Sequence, residues 1–373
     1  MPYAPSHRAG VAELQRHLWR GDDATNDAYF QWKYWDGPAC EHSLLLVVLH
    51  GDRVVGMRGE IGMRWEGGNP RHTFAATNSA DLLIAPQHRG RGLNRELAAA
   101  LAGSLTERDC PYSFGWSAGP RPLEWLPRVG WSELGSLGAR ISTPAGAGSR
   151  VRRALARVPV VGRHVGHRRA REFERASVDR DPAGALHAVP DSVFRVPGGR
   201  VRLARGPRPE AMAALVERLG HDGRVRHVRD DSWFAWRFRD PFARNRFVYW
   251  DDGQLEGYLV VQGRTNRALD HLAIVDVEAG SERVLADMVR AARDHLGVDK
   301  QVLWCATFGD DTLAVLSGNG FEPVPEPQHV GEPRAALLAL RLPAADRVEK
   351  LLGSRSPMRL SDWDVRMSYS DAF

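Results

Sequence analysis

The sequence predicts an α/β (α+β) protein made of two tandem domains, each a mixed, mostly antiparallel sheet flanked by helices. Three observations lead there. At 373 residues the chain accommodates two or three hydrophobic cores of about 100 to 200 residues each. The stretch from Ala80 to Leu97 reads as a strand, a glycine-rich turn and a helix. Landmarks of the first 130 residues then recur, in the same order, beyond residue 200.

The strand signal is the apolar run Leu82–Ile84, closed by Pro86, which has no N–H to give to a ladder. Leu93, Leu97, Leu101 and Leu105 follow at intervals of four and place one apolar stripe on a helix. Between them, Gly90 and Gly92 remove side chains where the backbone bends. Amide groups are then free to point outward at the positive end of a helix dipole, an arrangement suited to phosphate.

The order Gln87-x-x-Gly90-x-Gly92, with an Ile-x-Pro strand end before it and a leucine helix behind, resembles the acyl-CoA loop of the GCN5-related N-acetyltransferase (GNAT) superfamily. The resemblance implies that the loop amides hold the diphosphate of acetyl-CoA or another acyl-CoA as co-substrate. It also implies that the strand splays from its neighbour to admit the pantetheine arm. The residues it assigns to that role are Leu83, Ile84, Gln87, His88, Arg89, Gly90, Arg91, Gly92 and Leu93, with Arg89 and Arg91 adding charge-assisted bonds to phosphate.

Taken in order, Val11, Leu14, Leu18 and Trp19 predict a first helix. The aromatic segment Tyr29–Pro38 reads either as a helix packing rings into the core or as the wall of an acceptor pocket. Tyr29, Trp32 and Tyr34, with Trp116 further on, are the substrate-binding candidates. Ser43–Leu49 and Arg53–Met63 form a hairpin around Gly51-Asp52. Thr73–Asn78 leads into the central strand, Tyr112–Ser117 follows the leucine helix, and a short helix from Arg121 to Val129 runs into Gly130-Trp131. This is the sequential layout of the same acetyltransferase fold, over roughly residues 10 to 140.

Residues 142–199 read as a basic connector, opening on a Gly/Ala/Pro/Ser stretch and carrying nine arginines between Arg150 and Arg175. They part an N-terminal domain, residues 1–141, from a C-terminal one, residues 200–373. In the second copy Trp236 lies 204 residues after Trp32, Gly257 lies 201 after Gly56, and Gly320-Phe321 lies 190 after Gly130-Trp131. His271–Ile274 aligns on Asp81–Ile84 at the same 190. In that register the second glycine of the loop becomes acidic, with Asp276, Glu278 and Glu282 around it. The second domain is therefore expected not to hold coenzyme A.

Direct attack of an amine on a thioester needs a base for the amine and a proton for the leaving thiolate. Asp81 and Glu60 are the carboxylate candidates and Ser117 a proton-donor candidate. The tyrosine usual in the superfamily is replaced by Leu126, four residues before Gly130. The tail around Asp362 and Asp364 could fold over the cleft and bind an amine.

Composition narrows the classes. A net charge of +5 would allow anionic partners, but no nucleic-acid module accompanies it, and nucleic acid is not expected. Cys40, Cys110 and Cys305 are far apart, which points to a reducing cytoplasm and no metal site. No apolar run reaches the ~20 residues of a membrane span. The expected activity is N-acylation of a small-molecule amine, such as an amino sugar, amino acid or natural-product intermediate; an oligomer is allowed. The alternatives are a Fem-type aminoacyl-tRNA-dependent transferase and a non-catalytic acyl-CoA-binding or scaffold protein.

Overall fold

The structure is a computed structural model, and it describes residues 1–116, 125–142, 181–266, 269, 271–296, 300–325 and 335–370. Ser117, the N-terminal part of the 121–129 helix and the nine connector arginines from Arg150 to Arg175 lie outside the described residues.

The first half opens with helices α1 (Arg8–Gln15) and α2 (Asp23–Tyr34), the latter capped by Asp22, whose carboxylate accepts from the Thr25 amide. Strands β1 (Leu44–His50), β2 (Arg53–Gly67) and β3 (His72–Ile84) form an antiparallel meander. The two expected strands 73–78 and 80–84 are thus one, bent at a bulge where Asp81 takes a φ of 44°. Helix α3 (Leu93–Glu107) buries Leu97, Leu101 and Leu105 against Leu44, Leu46 and Ile84 of this sheet. Strand β4 (Tyr112–Trp116) follows, then a 3₁₀ turn at Leu126–Val129, β5 (Trp131–Ser136) and β6 (Ala139–Ser142).

The second half repeats the plan. Helix α4 (Pro182–Ala188) and strands β7 (Ser192–Val196) and β8 (Gly199–Ala204) precede α5 (Pro209–Leu219), a two-residue strand β9 (Arg226–His227) and α6 (Asp231–Arg237). Strands β10 (Ala243–Asp251), β11 (Leu255–Arg264) and β12 (Leu272–Ala279) form the matching meander. Helix α7 (Glu282–His295), β13 (Gln301–Trp304), α8 (Asp310–Gly318), β14 (Phe321–Pro323), β15 (Ala336–Arg341) and α9 (Ala345–Leu352) complete it.

Two mostly antiparallel sheets result, but the chain does not fill them one after the other. The first runs β1-β2-β3-β4-β15-β5, with β9 against β2; the second runs β14-β6-β13-β12-β11-β10-β8-β7. Strand β15, from the end of the chain, lies between β4 and β5 of the first half, and β6 lies between β13 and β14 of the second. Each sheet takes one interior strand from the other half.

The repeat is visible as geometry where the halves meet. The indoles of Trp32 and Trp236 stack with centroids 5.2 Å apart, and each Nε1–H donates to the other residue's carbonyl oxygen, at 2.9 and 2.8 Å. Gly130 and Gly320 both take left-handed φ values, 90° and 88°, at the turns that open β5 and β14.

The strand alignment at 190 is corrected. Pairing sets Ile84 opposite Gly56 and Ala279 opposite Gly257, so β12 matches β3 at an offset of 195. Between strand and helix the first half has residues 85–92, whereas the second has only Gly280 and Ser281. The second copy thus has no counterpart of the loop, being six residues shorter at this point. Its Asp276 and Glu278 belong to the strand itself, and the matching Ile-to-Ile register hid the missing residues.

Candidate active site

Strands β3 and β4 run parallel but pair only at Thr77–Ser113 and Asn78–Phe114. Among the described residues β3 has no β4 partner beyond Asn78, so the strands diverge from that point like the arms of a V. The wedge opens toward the glycine loop. There Gly90 and Gly92 take φ values of 75° and 81°, the left-handed region that favours glycine, and open space lies where a Cβ would stand at either one. Gly92 caps α3 without a side chain, and its carbonyl accepts from the amides of Arg95 and Glu96. Among the described residues nothing accepts from the amides of Gly90, Arg91, Gly92, Leu93 or Asn94. Unpaired donors at the positive end of a 15-residue helix are an anion site.

This loop forms one wall of a cleft of about 680 Å³. Leu82, Leu83 and Ile84 line its floor, His88, Arg89, Gly90, Gly92 and Leu93 its loop side, and Trp125, Arg128 and Val129 the opposite side. Of the nine loop residues expected from the sequence, Gln87 and Arg91 are not part of the lining. Arg89 Nε donates to the Ile84 carbonyl at 3.0 Å and Arg91 Nη2 to the Gln87 carbonyl at 3.3 Å, so both brace the loop from within. The cleft also takes in Asn94, Arg95, Trp125, Arg128 and Val129, which loop-motif reasoning does not reach because they come from the first turn of α3 and a different segment. The pKa of His88 is lowered, by desolvation first and then by Arg91 and the neighbouring His50 ring, 5.1 Å away, so its neutral form is favoured beside the loop.

In the second half the corresponding cavity is only about 190 Å³ and is lined in part by Arg366. Its strand carboxylates are occupied. Arg229 lies 3.3 Å from Asp276 and 2.6 Å from Glu278, and Arg366 lies 2.9 Å from Glu278 and also pairs with Asp364. Burial alone would push the Asp364 carboxyl up, but Arg366, Arg229 and Arg224 hold it down at about 2. Asp362 is bound by Arg355 and Arg359. The tail therefore folds inward, but its two acids are committed to arginines.

The carboxylate candidates are both internal. Asp81, carried inward by its bulge, sits 2.8 Å from Lys33 Nζ and accepts from the Tyr34 hydroxyl at 2.7 Å, with side-chain exposures of 3% and 1% for the ion pair. Removing one member of a buried ion pair leaves the other charge desolvated. Asp81→Ala is therefore expected to lower the unfolding free energy by about 3–5 kcal/mol in denaturant melts, with Asp81→Asn milder because asparagine tolerates the left-handed backbone. Glu60 is fully buried on the α3 face and accepts from Thr77 and Ser113 hydroxyls, both at 2.6 Å. Burial raises its pKa, and Arg58 with the hydroxyls offsets this only in part. The folded state thus holds this proton more tightly than the unfolded chain, so the group costs stability as pH rises through the interval between its two pKa values.

The aromatic candidates divide. Tyr29, Trp32 and Tyr34 are buried in α2 between the halves. Trp116 instead joins a cluster on the face of the sheet opposite α3, at the point of the V. Its ring lies about 6 Å from those of Trp65 (β2), Trp363 and Tyr369. His227, paired to Trp65 across β9–β2, stacks on Tyr369 at 4.2 Å. Asn78 Nδ2 donates to the Tyr369 carbonyl at 2.9 Å. Within this cluster Trp65 Nε1, Trp116 Nε1, His227 Nε2, the Tyr369 hydroxyl and Asn78 Oδ1 are buried with no hydrogen-bond partner among the described residues. An unpaired buried polar group costs about 1–3 kcal/mol. Trp65, His227 and Tyr369 come from distant parts of the chain and carry no shared motif, so periodicity could not join them.

At the level of sequence, no family model and no curated protein matches the chain. Its structure is similar to a conserved protein of Enterococcus faecalis V583 described as a probable N-acyltransferase, with 10% identity over 92% of this chain and 73% of that one and a TM-score of 0.56. It is also similar to a tandem GNAT protein from the clavulanic acid biosynthesis pathway, with 15% identity over 91% and 97% of the two chains and a TM-score of 0.52. A GCN5-related N-acetyltransferase from Anabaena variabilis ATCC 29413 gives 14% identity over 90% and 70%, with a TM-score of 0.53. The chain has the tandem fold of the GCN5-related N-acetyltransferases, and the glycine loop between β3 and α3 has no counterpart between β12 and α7.

Proposed function

We propose that the protein is an acyl-CoA-dependent N-acyltransferase whose first half binds the donor and whose second half shapes and braces it. The observation that carries this is the row of unpaired amides from Gly90 to Asn94, facing an open cleft at the head of α3. A diphosphate would take those amides, and the pantetheine arm would lie along the unpaired edge of β3 toward Asn78. The neutral amine then attacks the thioester carbonyl. The N–C bond forms, the C–S bond breaks, the nitrogen loses a proton and the coenzyme A thiolate gains one. Leu126, at the position of the usual tyrosine, is buried in the apolar layer under α3 and has no proton to give. That residue favours the alternative of a donor-binding protein without turnover.

Two measurements decide. Titration calorimetry with acetyl-CoA is expected to show one site per chain, and no binding would remove the acyltransferase assignment. Thiol release over an amine panel is expected to exceed the amine-free rate; binding without amine-dependent release would leave a binder.

A further inference from the structure

From the charge at the mouth of the donor cleft we infer that Arg95 and Arg128 hold a phosphomonoester on the nucleotide end of the donor. The protein then selects coenzyme A thioesters over the same thioesters lacking the ribose 3′-phosphate. This rests on the donor assignment above and names the residues that set donor specificity.

The cleft has room for such a group. Its volume is about 680 Å³, and its lining draws Arg89 from the loop, Arg95 from the first turn of α3 and Arg128 from the 3₁₀ turn on the opposite side. Leu126 of that turn packs in one apolar layer with Leu97 and Leu101 of α3, which fixes Arg128 beside the head of the helix. Among the described residues no aspartate or glutamate lines the cleft. Arg89 commits Nε to the Ile84 carbonyl, whereas Arg95 and Arg128 have neither an ion pair nor a hydrogen bond among the described residues.

Position is what separates these two from ordinary surface arginines. Arg95 stands at the positive end of a 15-residue helix, where a cation works against the helix dipole. Glu96, the acid of that turn, is not part of the cleft lining. The unpaired amides from Gly90 to Asn94, with Arg89 beside them, are enough for the two negative charges of a diphosphate. Two further guanidinium groups then leave the mouth with an excess of positive charge. A phosphomonoester brings nearly two negative charges near neutral pH and three acceptor oxygens, and a guanidinium fork can pair with it from either side. A pantetheine arm carried on a protein has one phosphate and no nucleotide, and would leave both arginines unused.

The test is titration calorimetry of the full chain with acetyl-CoA and with its 3′-dephospho analogue. The analogue is expected to bind at least about tenfold more weakly, as for the loss of a charge-assisted hydrogen-bonded group partly open to water. Arg95→Gln and Arg128→Gln are each expected to weaken acetyl-CoA about fivefold, and the double variant to bring the two ligands within about twofold of each other, with the analogue's own affinity nearly constant. Arg95→Gln is also expected to keep or raise Tm, because it takes a cation away from the positive end of α3. Equal affinity of the unaltered chain for the two ligands would overturn the inference and leave the donor assignment standing. Arginine variants that weaken both ligands alike, or phosphopantetheine binding as tightly as acetyl-CoA, would do the same. Failure of both nucleotide ligands to bind would remove the donor assignment and the inference together.

Discussion

Residues 1–142 and 181–370, produced as separate fragments, are each expected to lack a cooperative unfolding transition, and to regain one when mixed. The reason is the exchange of strands. Without β15 the first half keeps β4 and β5 as two edges facing an empty strand position, each having lost a full ladder of backbone bonds. It also loses Leu337, Leu338 and Leu340 from its core. At about 1.5–3 kcal/mol per buried leucine, the side chains alone remove much of a domain's 5–15 kcal/mol, before any unpaired amide is counted. The second half without β6 has the same gap between β13 and β14. Tyr112 to Glu349 and Arg226 to Glu66 are further bonds that a single fragment cannot make. Amide spectra and thermal melts of the fragments, alone and at equimolar ratio, check this. A well-dispersed spectrum from either fragment alone would show that the exchanged strand is dispensable.

The second large effect is on donor binding. Gly92→Glu is expected to weaken acetyl-CoA by at least about 100-fold, some 2.7 kcal/mol, while the protein stays folded. Two terms add. A side chain at a φ of 81° costs roughly 1–2 kcal/mol, most of it borne by the fold or by a shift of the loop amides. The new carboxylate, about 5–6 Å from a bound diphosphate, then adds repulsion of roughly 3 kcal/mol at an effective dielectric constant near 20. No clash competes with this account, since nothing lies within 4 Å of a Cβ built there. Gly103, an exposed residue further along α3, also has open space beside it and serves as the control. Gly103→Glu adds the same charge about 16 Å down the helix and is expected to leave the affinity within twofold. Equal losses in the two variants would move the donor away from the loop.

How much of this was legible in the sequence follows from the range of each interaction. The loop and its helix are local: apolar positions four apart, two glycines and a proline specify them within 18 residues, and they form as expected. The halves were legible because aromatic and glycine landmarks repeat, and the mutual bonds of Trp32 and Trp236 give that repeat a physical meaning. Strand exchange was not legible. A six-residue apolar run such as Ala336–Arg341 specifies a buried strand but carries no mark of which sheet receives it. The missing loop was hidden for a similar reason, since Ile84 and Ile274 match as letters while the ladder pairs Ile84's position with Ala279's. In the candidate site, Asp81 was noticed for its charge, but its bulge and its partner Lys33 are tertiary facts. His227 and Tyr369 stood outside every local pattern.

The exchange of β6 and β15 also bears on why a half with no such glycine loop persists in the chain. A copy that merely sat beside its twin could shrink once its own cleft closed, because nothing would depend on it. Here the half with the loop borrows the strand beside its own β4 from the half without it. Drift in the second half is therefore constrained along β15, β9 and the tail, as it is at the buried ion pairs of Asp276 and Glu278, so substitutions tolerated there should map the shape of the loan rather than any chemistry of its own.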